Sequence, residues 1–116
     1  MLNRNAFETI GFVQDVEVTA KDGRKRAYVK IRTHKDWTKD DEKKSRADFH
    51  RWVTFYPRLV ELIEKHVRKD QYLCVRGAMR SDSFQAKDGT TVFAYEPFME
   101  TIAFLERKPA AETASQ

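Results

Sequence analysis

Aromatic and basic side chains alternate in two stretches of this 116-residue sequence. The first stretch carries one aromatic and three basic residues: Arg26, Tyr28, Lys30 and Arg32. In the second stretch, Arg51 lies between Phe49 and Phe55. Flat rings offer faces on which nucleobases stack, and cations bind the phosphates that join the nucleotides. The two residue types in this arrangement predict a surface that binds a single-stranded nucleic acid.

Two further aromatic residues stand in polar surroundings. Trp37 lies in the charged segment 34–46, which we expect to be a loop, and Phe84 lies near a predicted hairpin tip. A ring in a charged loop has no core to enter unless the loop folds back. An alternative arrangement stays open for the other rings: Phe49 and Phe55 would belong to the core and Trp52 would point outward, because the third strand is apolar on both faces.

Patterns that indicate catalysis or metal binding are weak. The three histidines are far apart, and none has a second ligand at a metal-binding spacing. Asp48 and His50 share one face of a predicted strand, but such pairs are more often structural hydrogen bonds than acid–base pairs. Phosphate-binding loops, dinucleotide-binding glycine motifs and nucleophile elbows are missing. We therefore expect no enzyme, no metal and no cofactor; a nuclease that uses Asp48 and His50 is the enzymatic alternative.

The elements that position these side chains follow from periodicity and turn residues. In the second strand, Ala27, Val29 and Ile31 alternate with polar residues, which places one face in a core. Asp-Gly pairs at 22–23 and 88–89 predict hairpin turns. We expect a helix over 57–69, ended by Asp70, and strands near 7–18, 25–33, 47–55, 72–80 and 91–105. Gly11 predicts a bulge or a bend in the first strand, and Gly77 predicts a bulge or a barrel corner in the fourth. This order predicts an all-β, five-stranded OB-fold barrel with one α-helix between strands 3 and 4.

Composition limits the class of protein. The 22 Lys and Arg residues exceed the 18 Asp and Glu residues, and a net charge of +4 suits a polyanionic partner. No apolar run approaches the ~18 residues of a membrane span, and 1–7 shows no secretory signal. The single Cys74, predicted to be buried, suits a reducing cytoplasm. We expect one domain over 1–105 and a short, polar, disordered tail over 106–116.

The sequence also resembles the bacterial single-stranded DNA-binding protein (SSB) family over about 13–105. Asp48–Phe55 is similar to the family's Glu-Trp-His-Arg-Val-Val-Leu-Phe, and Thr33–Trp37 to its Thr-Ser-Glu-Ser-Trp. Val75–Arg80 is similar to Ile-Glu-Gly-Gln-Leu-Arg, and His66–Asp70 to Tyr-Leu-Arg-Lys-Gly. The order and spacing of these phrases carry the resemblance.

The resemblance implies a set of binding residues. Bases would stack on four rings: Trp37, Phe49, Phe55 and Phe84. Two of these are Phe where the family usually has Trp, which implies a smaller stacking area. Phosphates would be held by five cations: Lys30, Arg32, Lys35, Arg51 and Arg80. The resemblance further implies a structural role for His50 near a subunit interface, and a homotetramer, with a dimer as the alternative.

The sequence departs from the family pattern in three places. Ile10-Gly11-Phe12 is shifted and Val16 replaces a Pro, which affects a first-strand subunit contact; Arg76 replaces an acidic residue. The acidic-tipped tail that recruits replication and repair enzymes has no counterpart before Gln116, so we expect a tailless relative or a truncated chain. The predicted function is sequence-tolerant binding and protection of single-stranded DNA in replication, recombination, repair or transfer of a mobile element. The alternative is a primosomal OB-fold dimer that mainly bridges proteins.

Overall fold

Five strands close into a barrel, with one helix between the third and fourth. The computed structural model describes residues 2–105, apart from the side chains of Asp82, Phe84 and Phe93. The elements are β1 (Phe7–Lys21), β2 (Arg24–Lys39), β3 (Glu42–Thr54), α1 (Pro57–His66), β4 (Tyr72–Gln85) and β5 (Thr91–Phe104). Around the barrel the strand order is β1-β2-β3-β5-β4. This arrangement confirms the predicted OB-fold barrel.

The segment 34–46 is a β-hairpin arm, and the prediction of a loop there is wrong. β2 and β3 pair without interruption from Ala27 opposite Thr54 to Lys39 opposite Glu42. The turn is made by Asp40 and Asp41, at φ values of 52° and 62°, a left-handed conformation that Asp tolerates better than most residues. The side chains of 34–47 are exposed. A two-stranded arm without a core lacks the apolar alternation by which strands are recognised.

Among the described side chains, the central core cluster is mostly aliphatic and is built around the fully buried ring of Trp52. Trp52 is fully buried, whereas Phe49 is 54% exposed. The alternative with Phe49 in the core and Trp52 outward is therefore wrong. Trp52 shares one cluster with buried residues of the other four strands, of α1 and of the helix C-cap Val67: Val13, Ala27, Val29, Ile31, Val60, Ile63, Val67, Leu73, Val75 and Met99. Trp52, Val53 and Thr54 are buried in succession, so burial does not alternate at this end of β3.

Gly77 marks the bulge that the sequence predicts in the fourth strand. The register between β4 and β5 shifts between Arg76 and Gly77. A Cβ at Gly77 would lie 1.8 Å from the carbonyl oxygen of Phe98. Only glycine permits this approach, which brings the backbone of β5 against β4.

Gly11 allows close packing, and of the two predicted alternatives there, the bulge is wrong. The register of β1 against β2 shifts between Val13 and Asp15 instead. A Cβ at Gly11 would lie 2.4 Å from the carbonyl oxygen of Arg32. The absence of a side chain therefore lets β1 lie directly on β2.

The helix is shorter than its pattern predicts. α1 ends at His66, and Val67 is already extended, with its N–H bonded to the carbonyl of Ile63 at 3.0 Å. Asp70 has the expected left-handed φ, 73°, but in the turn that follows. Its N–H donates to the carbonyl of Val13 at 2.8 Å, which fixes the entry into β4.

Three further expectations concern the burial of Cys74, the C-terminal tail and membrane-spanning segments. Cys74 is half-buried rather than buried. The predicted tail, 106–116, lies outside the described residues. Within the part of the chain that is described, no helix is long and apolar enough to cross a membrane.

Candidate nucleic-acid interface

The outer face of β2 and β3 carries the alternating cations and rings that the sequence predicts. Side chains of directly paired residues in an antiparallel ladder lie on the same side. Lys30 is opposite Arg51, and Arg32 is opposite Phe49. Because Ile31 and its alternate neighbours are buried in the core, these four side chains face outward. The structure therefore brings the two predicted stretches together on one surface.

Two arginines contact Tyr28 on this surface. The guanidinium carbon of Arg51 lies 3.8 Å from the centre of the Tyr28 ring. Nη1 of Arg26 donates a hydrogen bond to the Tyr28 hydroxyl at 3.1 Å. A guanidinium over a ring is attracted by the negative face of the π system. Tyr28 is not one of the four rings predicted to stack on bases. It instead holds two cations in place, Arg51 through its ring and Arg26 through its hydroxyl.

A second group of rings continues the surface toward α1. Phe55 stacks on Phe98 with ring centres 5.5 Å apart and 28° between planes. Tyr56 meets Phe98 edge-on at 5.3 Å. Arg26 lies 4.5 Å from the centre of the Phe55 ring, and Arg80 lies 4.5 Å from that of Phe98. The side chains form one continuous row: Arg51, Tyr28, Arg26, Phe55, Phe98 and Arg80.

Tyr56 and Phe98 are absent from the predicted site. Tyr56 lies between the predicted ring Phe55 and Pro57, the first residue of the helix. Its position next to Phe55 could have indicated that it belongs to the site. Phe98 is opposite Ala78 only because of the register shift at Gly77. Gly77 predicts a shift there, but the sequence does not indicate which residue of β5 the shift brings opposite Ala78, so Phe98 had no comparable signal.

The predicted cations differ in how free they are to bind phosphate. Arg51 and Arg80 form no ion pair with any described side chain. Arg32 instead donates to Oε1 of Gln14 at 2.7 Å and lies 3.9 Å from Asp70. Lys30 and Lys35 also lack an ion pair among the described residues. Arg51 and Arg80 therefore fit the phosphate role best by geometry, and Arg32 least.

Arg76 forms an ion pair with Glu8. Its Nε donates to a carboxylate oxygen of Glu8 on the neighbouring strand, and this partner raises the pKa of Arg76. Glu8 therefore offsets the positive charge that Arg76 brings in place of the family's acidic residue.

Trp37 and Phe49 lie on opposite faces of the hairpin arm. Trp37 is opposite Lys44, whereas Phe49 is opposite Arg32, five positions earlier in β2. Because the ladder has no register shift and side chains alternate along a strand, the two rings project from different sides. Trp37 is 41% exposed and Phe49 is 54% exposed. A single strand must pass around the arm to meet both rings.

Phe84 is the fourth predicted ring. It lies in β4, opposite Val92 of β5, near the tip of the second hairpin. Its side chain lies outside the described residues.

Asp48 and His50 do not form the pair that a nuclease would require. Asp48 accepts a hydrogen bond from Nε of Arg46 at 3.0 Å, and Nε2 of His50 lies 3.0 Å from Oγ1 of Thr33. Among the side chains that the structure describes, no group of three or more metal-ligating residues is found. The arrangement of these two side chains is that of separate structural hydrogen bonds.

Comparisons with known proteins agree with this geometry. Residues 6–105 match the Single-strand binding protein family. The single-stranded DNA-binding proteins of Rickettsia typhi and Rickettsia prowazekii are each 28% identical to this chain over 103 residues, which is 82% of this chain and 67% of theirs.

Solved structures share the fold. The Plasmodium falciparum SSB in complex with ssDNA is 24% identical, with a TM-score of 0.75, over 91% of this chain and 98% of that one. The mitochondrial single-stranded DNA-binding protein Rim1 of S. cerevisiae is 13% identical, with a TM-score of 0.63, over 92% of this chain and 100% of that one.

Proposed function

This chain belongs to the Single-strand binding protein family, and from that premise we propose that it binds and protects single-stranded DNA with little sequence preference. The observation that carries the proposal is the row of rings and arginines on the outer face of the barrel. Arg26, Arg51 and Arg80 lie on ring faces and form no ion pair with a described carboxylate. Such a surface provides stacking faces and phosphate-binding groups together.

Tolerance of sequence follows from the kind of contact. Every base has a π-face, and a stacked base contributes roughly 1–3 kcal/mol whatever its identity. Guanidinium groups bind phosphate oxygens, which are the same in every nucleotide. In the proposal, bases stack on the rings of Trp37, Phe49, Phe55 and Phe84, and phosphates contact Lys30, Arg32, Lys35, Arg51 and Arg80.

Binding without catalysis suits protection of exposed strands. The family consists of DNA-binding proteins rather than enzymes. Replication, recombination, repair and transfer of a mobile element all expose single strands. We propose that the protein is located where that DNA is found, which in a bacterium is the cytoplasm.

We propose that the chain assembles as a homotetramer. Ile10 on the outer side of β1 is 46% exposed, and beside it the rings of Phe12 and Tyr72 lie 4.9 Å apart. An exposed apolar patch on a strand pair favours association with another copy. Light scattering distinguishes the outcomes: a tetramer supports the proposal, a dimer supports the protein-bridging alternative, and a monomer contradicts both.

Titration with poly(dT) tests the proposal directly. Binding should weaken as salt rises, with log K falling against log salt by about 0.7 for each phosphate neutralised. A fluorescently labelled oligonucleotide then compares the wild type with the double variant Trp37→Ala, Phe84→Ala. The double variant should bind about 30-fold more weakly or more, since each of the two stacked bases contributes roughly 1 kcal/mol or more. Equal affinity would contradict stacking, and duplex DNA as competitor controls for general attraction to polyanions.

A further inference from the structure

A groove lies between the β1–β2 turn and the start of α1, at the end of the aromatic row. Its volume is about 980 Å³, and its lining includes Arg24, Arg26, Phe55, Tyr56, Arg80 and Phe98. We propose that this groove is a nucleotide-binding subsite, in which one base stacks on Tyr56 and the adjoining phosphates contact the arginines. The inference rests on the proposed function and names a subsite outside the predicted set of stacking rings.

Tyr56 presents an exposed ring on a fixed backbone. Its ring is 47% exposed and is held edge-on against Phe98 at 83° between planes. Its backbone N–H donates to Oγ1 of Thr54 at 3.3 Å, and its carbonyl accepts from the N–H of Val60 at 2.9 Å. A ring held at the first turn of a helix loses little conformational entropy when a base stacks on it.

Phe98 is a positioning residue rather than a stacking platform. It is 7% exposed, because Phe55, Tyr56 and Arg80 lie against its ring. Its contribution is to hold Tyr56 and Arg80 on the same wall of the groove.

Three arginines of the groove are not paired with a described carboxylate and can bind an anion. Glu64 is paired with Lys25 at 3.2 Å, and Glu61 is paired with Lys65 at 2.7 Å. Both carboxylates that line the groove are therefore neutralised by lysines. Arg24, Arg26 and Arg80 form no ion pair with a described residue. A phosphate, which accepts several charge-assisted hydrogen bonds, fits this excess.

Size and continuity favour a nucleotide of the bound strand as the occupant. Small-molecule sites have volumes of roughly 300–1,000 Å³, and the groove lies within that range. Arg26 touches both Tyr28, at 3.1 Å from its hydroxyl, and Phe55, at 4.5 Å from its ring centre. A strand that follows the outer face of β2 and β3 therefore reaches the groove without leaving cationic surface.

Three variants of the full chain test the subsite against poly(dT). Tyr56→Leu removes the ring, Arg24→Gln removes a groove cation, and Arg58→Gln removes an exposed α1 cation outside the lining. Tyr56→Leu should weaken binding about fivefold or more, as expected for one stacked base. Arg24→Gln should reduce the salt slope by about 0.7, and Arg58→Gln should change neither quantity.

Photocrosslinking supplies a measurement that needs no substitution. An oligonucleotide with 5-iododeoxyuridine, bound to the wild type and irradiated, should crosslink to Tyr56 in peptide mapping. One outcome would show that the subsite is wrong while the proposed function stands. In that outcome the wild type binds poly(dT) without a crosslink to Tyr56, and Tyr56→Leu and Arg24→Gln, both folded, bind as Arg58→Gln does. If the wild type binds no single strand, the proposed function itself fails and the subsite with it.

Discussion

The guanidinium carbon of Arg51 lies 3.8 Å from the centre of the Tyr28 ring, on a strand pair that joins two separately predicted stretches. The neighbouring cation, Lys30, is directly opposite Arg51 in the ladder. Two like charges in one pair repel, and the ring face of Tyr28 offsets part of that repulsion for Arg51. The contact holds the guanidinium over the ring, and no described carboxylate pairs with it.

Replacement of Arg51 by Gln is expected to remove one phosphate contact. Affinity for poly(dT) should fall, and the slope of log K against log salt should become shallower by about 0.7. Tyr28→Leu leaves the number of cations unchanged, so it should lower affinity while the slope stays as in the wild type. An Arg51→Gln slope equal to that of the wild type would show that no phosphate lies there.

Trp37 is expected to be the tryptophan that reports binding. Trp37 is 41% exposed, whereas Trp52 is fully buried in the core and cannot stack on a base. Trp37→Phe should therefore abolish the quenching of fluorescence by poly(dT), although a labelled oligonucleotide still binds within a few-fold of wild-type affinity. Quenching that persists in this variant would contradict the assignment of the signal to Trp37.

The two faces of the hairpin arm are expected to contribute independently. Trp37→Ala and Phe49→Ala should each weaken binding by roughly 1–3 kcal/mol. Because the rings lie on opposite faces and share no described partner, their effects should add within about 0.5 kcal/mol. A double-mutant cycle with a labelled oligonucleotide measures this. If only one variant weakens binding, the strand follows a single face of the arm.

Gly77→Ala is expected to destabilise the barrel strongly. The new Cβ would lie 1.8 Å from the backbone oxygen of Phe98, so β4 and β5 must separate. We expect a loss of about 3 kcal/mol or more in the free energy of unfolding, measured by urea denaturation. Gly23→Ala is the control: its φ is +77° but its surroundings are open, so the loss should be about 1 kcal/mol. Equal losses would show that the backbone yields easily at the bulge.

Cys74 is expected to react slowly in the folded protein. Burial, and then the nearby Glu8 carboxylate, raise the pKa of its thiol. Only the thiolate is nucleophilic, so at pH 8 the native protein should be alkylated by iodoacetamide more slowly than the urea-unfolded chain. The difference should narrow as pH rises and the folded thiol ionises. Equal rates at pH 8 would contradict the shift.

Local patterns were sufficient for much of the fold. The alternation of Ala27, Val29 and Ile31 identified the buried face of β2, and Asp22-Gly23 identified its turn, because these features depend on neighbouring residues alone. The position of the helix after the third strand indicated the barrel. The outward-facing cations of β2 followed from the same alternation.

The identity of the inward and outward rings was decided by tertiary structure. Phe49 and Trp52 are three residues apart on a strand with apolar residues on both faces, so periodicity allowed either to be buried. The arm at 34–47 has no core, so it carries no apolar pattern at all.

The sequence by itself thus determined the order of the elements along the chain, two of the three hairpin turns and the residue types of a surface that binds single strands. Only the folded barrel brought Tyr56, Phe98 and Arg80 together and paired Arg76 with Glu8. These contacts join residues far apart in the chain, and they depend on strand register and on the shift at Gly77. Register is set by the packing of whole strands against one another, which no short stretch of sequence contains.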